Sequence, residues 1–95
     1  MYYDMKQYKL HGFERSRSKG KKYDAIIINK QTNRSTRIPF GAIGYQQYRD
    51  STGLGFYSRY NHNDRERRTR YRKRHVGHIK KGFYSPSWMS YKYLW

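Results

Sequence analysis

The chain contains no cysteine among its 95 residues, which removes disulfides, thiolate catalysis and the usual zinc-finger sites together and fits a reducing compartment. Acidic residues are scarce as well, six Asp and Glu against 22 Lys and Arg. Those six (Asp4, Glu14, Asp24, Asp50, Asp64 and Glu66) are scattered. The closest pair in sequence, Asp64 and Glu66, would diverge by about 200° on a helix, so paired-carboxylate chemistry has no support. No Walker-type phosphate loop and no nucleophile elbow occurs. His75 and His78 have helical i,i+3 spacing and His62 precedes them, but Gly77 intervenes and no third ligand is near. Metal and other cofactors are therefore not expected. His75 reads instead as a packing residue near a helix end. No enzyme is expected.

Long apolar runs are missing too. Nothing approaches the roughly 20 residues of a membrane span, and MYYDMKQYKL (1–10) lacks the apolar centre of a signal peptide, so a soluble intracellular protein is expected. With 35% hydrophobic residues the core must be thin, and the length suits one small basic domain over residues 1–95. Residues 1–20 read as a flexible or edge-strand arm. Rings supply the area that aliphatic residues do not: twelve Tyr, four Phe and two Trp argue for a folded chain despite its charge.

The local signals indicate an α+β fold, with a two- or three-stranded antiparallel sheet covered by an Arg-rich helix and a short aromatic C-terminal helix. Tyr3, Met5, Tyr8 and Leu10 fall at spacing two. ERSRSKGKK (14–22) is too polar to pack and reads as a loop. In KYDAIIIN (22–29) the run Ile26, Ile27, Ile28 sends β-branched side chains to both faces of a sheet and is the best core candidate. The segment TRIPFG (36–41) resumes with Ile38 and Phe40 on one face. Residues 22–40 therefore read as a hairpin whose second strand lies at an edge, because Pro39 cannot donate to a ladder. GAIGYQQYRDSTGLG (41–55) is turn-rich, with room for a short helical turn over 45–49.

The stretch DRERRTRYRKRHVGHIKK (64–81) holds nine Lys or Arg. Asn63 with Glu66 forms a capping-box variant, and Gly77 offers a stop, so a helix is expected over 64–76. At 100° per residue, Tyr71 and His75 share a sector directed at the sheet. Arg65, Arg68 and Arg72 form one outward row, and Arg67, Arg70 and Arg74 another. A merely soluble face would mix signs in i,i+4 pairs; stacked arginines repel each other and suit bidentate contact with phosphate. Arg65, Arg67, Arg68, Arg70, Arg72, Lys73, Arg74, Lys80 and Lys81 are thus the candidate nucleic-acid contacts. In FYSPSWMSYKYLW (83–95), Ser85 is an N-cap with Pro86 at the first helical position. Trp88, Tyr91, Leu94 and Trp95 serve either to close the core with Tyr71 and His75 or to form a self-association surface, and a homodimer would join two Arg-rich faces on one duplex.

A net charge of +16 calls for an acidic partner. Nucleic acid ranks first, with DNA favoured over RNA, then an acidic protein surface, then an anionic membrane. The run RERRTRYRKRH (65–75) is also similar to a nuclear-import signal.

Taken in order, PFG (39–41), YRD (48–50), NDRERRTRYRKRH (63–75) and YSPSWMSYKYLW (84–95) resemble a family of small basic proteins encoded by giant viruses. These are the nucleocytoplasmic large DNA viruses, with marseilleviruses, mimivirus and chlorella-virus relatives among them. Phe40, Gly41, Tyr48, Tyr71, Arg74, His75, Trp88, Leu94 and Trp95 carry the resemblance, which covers residues 21–95. Gln47 departs from it, standing where that family has an acidic residue. The resemblance implies a virion-packaged protein, found in the virion and in the nucleus or viral factory of the infected cell, and brings no enzyme mechanism. The function expected is sequence-tolerant binding of viral DNA as a genome-organising protein. The alternative is a virion structural or chromatin-directed protein whose basic surface docks on an acidic protein.

Overall fold

The computed structural model describes residues 3–79 and 82–95. Lys80, Lys81 and the side chain of His78 lie outside the described residues. The fold is α+β, with two antiparallel sheets of two and three strands and two α-helices. Strands β2 (Tyr8–Arg15), β3 (Lys21–Asn29) and β4 (Ser35–Ala42) form the larger sheet in the order β2-β3-β4. The short strands β1 (Tyr3–Asp4) and β5 (Phe83–Tyr84) pair with each other. Helix α1 spans Arg65–Ile79 and α2 spans Pro86–Tyr93.

The central strand is the apolar one. Ile27 is fully buried and Ile26 nearly so, while Ile38 and Phe40 of β4 lie opposite Ala25 and Tyr23 on the core face. β4 is an edge strand, as Pro39 requires. β2 forms the other edge, and its register shifts between Leu10 and Gly12. The extra residue changes the parity of the strand, so that Phe13, an odd position, joins Leu10, an even one, over β3. Phe13 then meets Phe40 and Tyr93 edge-on, with ring centroids 5.8 and 4.6 Å away. The expected loop over 14–22 shrinks to a turn at 16–20. In it the Ser16 hydroxyl and the Arg17 amide donate to the Asp24 carboxylate at 2.6 and 3.2 Å, a local fit of short polar groups that composition does not reveal.

α2 starts where its sequence directs: the Ser85 hydroxyl accepts from the Trp88 amide at 3.1 Å, with Pro86 in the first turn. It lies on β4 and inserts Met89 and Leu94, both essentially fully buried, against Tyr23, Ala25, Ile27, Ile38 and Phe40. Burial of these two side chains contributes about 3–6 kcal/mol. Trp88 sits beside this core, edge-on to Tyr84 and Tyr93.

Three sequence expectations are corrected. No helical turn forms at 45–49; the turn falls instead at Ser58–Tyr60. The cap of α1 is Asp64, not Asn63. Its carboxylate accepts from the amides of Glu66 and Arg67 at 3.0 and 3.3 Å and its carbonyl takes the first helical bond from Arg68, while Asn63 adopts a positive φ of 54°. The helix also continues through Gly77 to Ile79, since one glycine inside a helix costs only about 1 kcal/mol relative to alanine.

Gly41 explains the PFG segment in physical terms. It lies near the end of β4 at φ +76°, and a Cβ built there would stand 2.9 Å from Leu94 Cδ1 and 3.3 Å from Lys22 Cδ. Gly41→Ala combines a strained φ with that crowding and should destabilise the fold by about 1–3 kcal/mol. Gly12→Ala, where a Cβ meets nothing within 4 Å, is the control. Chemical denaturation that ranked the two alike would refute the close packing of Gly41 on Leu94.

Candidate nucleic-acid interface

α1 has too little apolar surface to place itself by burial, and Trp95 places it. The Tyr71 ring lies flat on the Trp95 ring, centroids 4.3 Å apart at 6° between planes, and the His75 ring sits tilted beside Tyr71 at 4.2 Å. Tyr71 therefore faces Trp95 rather than the sheet, because α1 packs on α2 and α2 on β4. On one side of this aromatic ridge the Nε–H groups of Arg68 and Arg72 donate to the main-chain oxygen of Trp95 at 2.9 and 3.1 Å. Their guanidinium planes cover the rings of Tyr48 and Tyr91, each at 4.7 Å. Tyr91 and Leu94 are buried, and Trp95 is half-buried in the clamp.

The outward row of Arg65, Arg68 and Arg72 is thus divided. Arg65 is exposed, but Arg68 and Arg72 are half-buried and hold the fold together. Helical projection does not reveal which flank meets a neighbour; that depends on where Trp95 falls. The other row stays together. Arg67, Arg70 and Arg74, with Lys73, line a groove of about 450 Å³ whose floor includes Trp95. Arg70, Lys73 and Arg74 are exposed, whereas Arg67 is half-buried and donates to the Gln46 side-chain oxygen at 2.8 Å. The ion pairs among the described residues are those of Arg37 with Glu14 and Asp24, so none of these helix cations is neutralised by a carboxylate.

Loop 43–63, which brings Gln46 and Tyr48 to the helix, is fastened by a buried polar network. Lys22, expected in a solvated loop, is 1% exposed and donates to the Tyr45 carbonyl and the Gln47 side-chain oxygen, both at 2.6 Å. Gln47, fully buried, donates in turn to the Tyr57 carbonyl and the Asn61 side chain at 3.0 and 2.8 Å. Asn61 also accepts from the Asp50 amide, and the Asp50 carboxylate accepts from the hydroxyls of Tyr23 and Thr52. Lys22, Gln47, Arg67, Tyr71 and Arg74 share the lining of a further cavity of about 390 Å³. Sequence reasoning missed Lys22 because its partners lie 23 and 25 residues away and no local pattern marks them. At the helix start His62 Nδ1 accepts from the Asp64 amide at 2.9 Å. Burial and the nearby Arg67 hold its pKa below the ordinary value, so the ring is neutral there. Among the described residues no three His, Cys, Asp or Glu lie close enough to hold a metal, and no helix is long and apolar enough to cross a membrane.

Burial brings Lys22 down to about 8 from its ordinary 10.5, against the opposing pull of Asp50. Between those values the unfolded chain binds the extra proton, so stability should rise as pH increases from about 8 towards 10. Above that, burial and the bond to Asp50, which raise the Tyr23 phenol to about 12, reverse the trend, because the unfolded chain then loses its phenol proton first. Gln47→Glu sets a carboxylate on the ammonium, keeps Lys22 charged to higher pH and should flatten the rise. An unchanged slope in denaturation curves across pH 8–10 would show that Lys22 is not the group responsible.

The clamp separates the arginines by role. Arg68→Ala with Arg72→Ala removes two charge-assisted bonds to Trp95 and should lower stability by about 2–4 kcal/mol. Arg65→Ala with Arg70→Ala should leave the melting temperature within a degree or two. Equal melting of the two double variants would reject the clamp. Compared with known proteins, the chain matches no family model, no curated protein and no solved structure.

Proposed function

We propose that this protein binds duplex DNA without regard to sequence, through the face of α1 that carries Arg65, Arg67, Arg70, Lys73 and Arg74. The observation behind this reading is the set of unneutralised cations beside an aromatic floor at Trp95. From residue 65 to residue 74 the helix rises about 14 Å, which at about 3.4 Å of axis per phosphate of one strand matches about four phosphates. Arginine dominates the face, in keeping with bidentate phosphate contact. No base-reading module accompanies it, hence the tolerance of sequence. On the resemblance to giant-virus proteins, the DNA proposed is a genome packaged in a virion.

Neutralising about four phosphates gives a slope of log K against log salt near −4. Arg70→Gln, Lys73→Gln and Arg74→Gln together should reduce it to between about −1 and −2 and leave the melting temperature unchanged, since none of the three is buried. Gel shifts on unrelated duplexes at one salt concentration should give equal affinities. A salt-indifferent interaction, a strong preference for one duplex, or tight binding only to an acidic protein would overturn the reading.

A further inference from the structure

A second cationic feature lies on the flank of α1 where Arg68 and Arg72 hold Trp95. Here three parts of the chain converge on a cavity of about 180 Å³ with a mostly polar wall. α1 supplies Arg68 and Arg72, the loop supplies Arg49 and Ser51, and α2 supplies Lys92. The groove on the opposite flank is open and larger, at about 450 Å³, and shares only Trp95 with this cup.

The cup is built rather than incidental. The Nε–H bonds to Trp95 and the two tyrosine rings beneath the guanidinium planes fix the direction of Arg68 and Arg72, leaving their terminal N–H groups for another acceptor. The loop is held too, because the amides of Arg49 and Ser51 donate to the carbonyls of Leu94 and Tyr93 at 3.1 and 2.8 Å. No Asp or Glu side chain lines the cavity. Asp50, between Arg49 and Ser51 in sequence, directs its carboxylate to Tyr23 and Thr52 instead. Among the described residues none of the four cations is paired with an Asp or Glu side chain, and Arg68 and Arg72 have the main-chain oxygen of Trp95 as acceptor. Like charges drawn together from three elements repel one another, and a compact anion would relieve that repulsion.

We propose that this cup binds one phosphate group in its dianionic form, as inorganic phosphate or as the terminal phosphomonoester of a nucleic-acid strand. Size and charge favour this class. The cavity admits one tetrahedral oxyanion with few attached atoms, whereas a backbone phosphodiester is flanked by sugars on both sides and carries a single charge. A dianion with three strong acceptor oxygens suits four cations and the Ser51 hydroxyl. The site does not depend on the duplex-binding reading, since it uses different side chains.

The test is a titration of the full chain with inorganic phosphate, followed by calorimetry and by melting temperature against potassium chloride of matched ionic strength. Phosphate should bind with a saturable isotherm and raise the melting temperature by several degrees beyond chloride. Arg49→Gln with Lys92→Gln, both at exposed positions outside the Trp95 clamp, should fold normally and bind phosphate at least tenfold more weakly. Arg70→Gln with Lys73→Gln should lose duplex affinity and keep the phosphate response. Single-stranded oligonucleotides with a 5′-phosphate or a 5′-hydroxyl distinguish the two sources. Several-fold tighter binding of the phosphorylated strand, lost in the Arg49, Lys92 variant, identifies a strand end; indifference to the 5′ group beside an intact response to free phosphate identifies the free ion. An effect reproduced by chloride, or a phosphate response equal in wild type and the Arg49, Lys92 variant, overturns the proposal.

Discussion

An arginine-rich helix whose inner face offers little more than Tyr71 and His75 cannot be positioned by burying its own surface, so its contacts centre on one residue, Trp95. The ring stacks on Tyr71 while the main-chain oxygen of the same residue accepts from Arg68 and Arg72. Apolar and polar fastening thus meet at one point. Everything the basic helix presents to solvent follows from that attachment. Arg67 and Arg74 lie on one side of the Tyr71 ridge and Arg68 and Arg72 on the other, so turning the helix by one residue would bury the groove and expose the clamp. Because α2 carries the chain to Trp95 and anchors it through Met89 and Leu94, the sheet governs the basic surface at second hand.

The same constraint explains why a chain with a thin apolar core buries so many polar groups. Loop 43–63 has to reach both the start of α1 and the end of α2. Tyr57 packs against the core and Phe56 meets the Tyr23 ring, while Ile43, Tyr45 and Leu54 stay exposed. It is held as well by Lys22, Gln47, Asn61 and Asp50, linked in succession through bonds near 2.6–3.0 Å. A buried network of this kind tolerates no missing member, since each unpaired group would incur its own desolvation penalty. Gln47 is the apt residue at its centre. The amide accepts from Lys22 and donates to Tyr57 and Asn61 together, which a carboxylate cannot do.

These features mark how much could be read from sequence. Ser85 with Pro86, the Ile26 to Ile28 run and Pro39 at an edge were legible because each rule acts within a few residues: a cap bonds three positions on, and a strand alternates by two. Arg67, Arg70 and Arg74 were legible as one row for the same reason. What escaped depends on contacts far apart in the chain. Arg68 and Arg72 bond a residue 27 and 23 positions away, and Lys22 is buried by partners on a loop that follows the whole hairpin. The Asn63 and Asp64 cap went astray by one position because both residue types can cap, and the choice was made by backbone geometry, with Asn63 taking the positive φ. Arg49 and Lys92 carry no local signal at all; only the convergence of the loop and α2 beside the clamp gives them meaning.

Charge and fold are thereby coupled. The net charge of +16 opposes compaction, and the two cationic features concentrate that opposition on either flank of one helix. An anion that bound either flank as proposed would bind only the folded arrangement of side chains, so its binding free energy would add to the stability of the fold. Trp95 lines both the groove and the cup. Any coupling between the two through that residue would be reciprocal, each occupancy changing the affinity of the other by the same factor. On the proposed binding, a protein of this composition would gain stability from phosphate on either flank, which would give the repulsion along α1 a role in coupling folding to the presence of a polyanion.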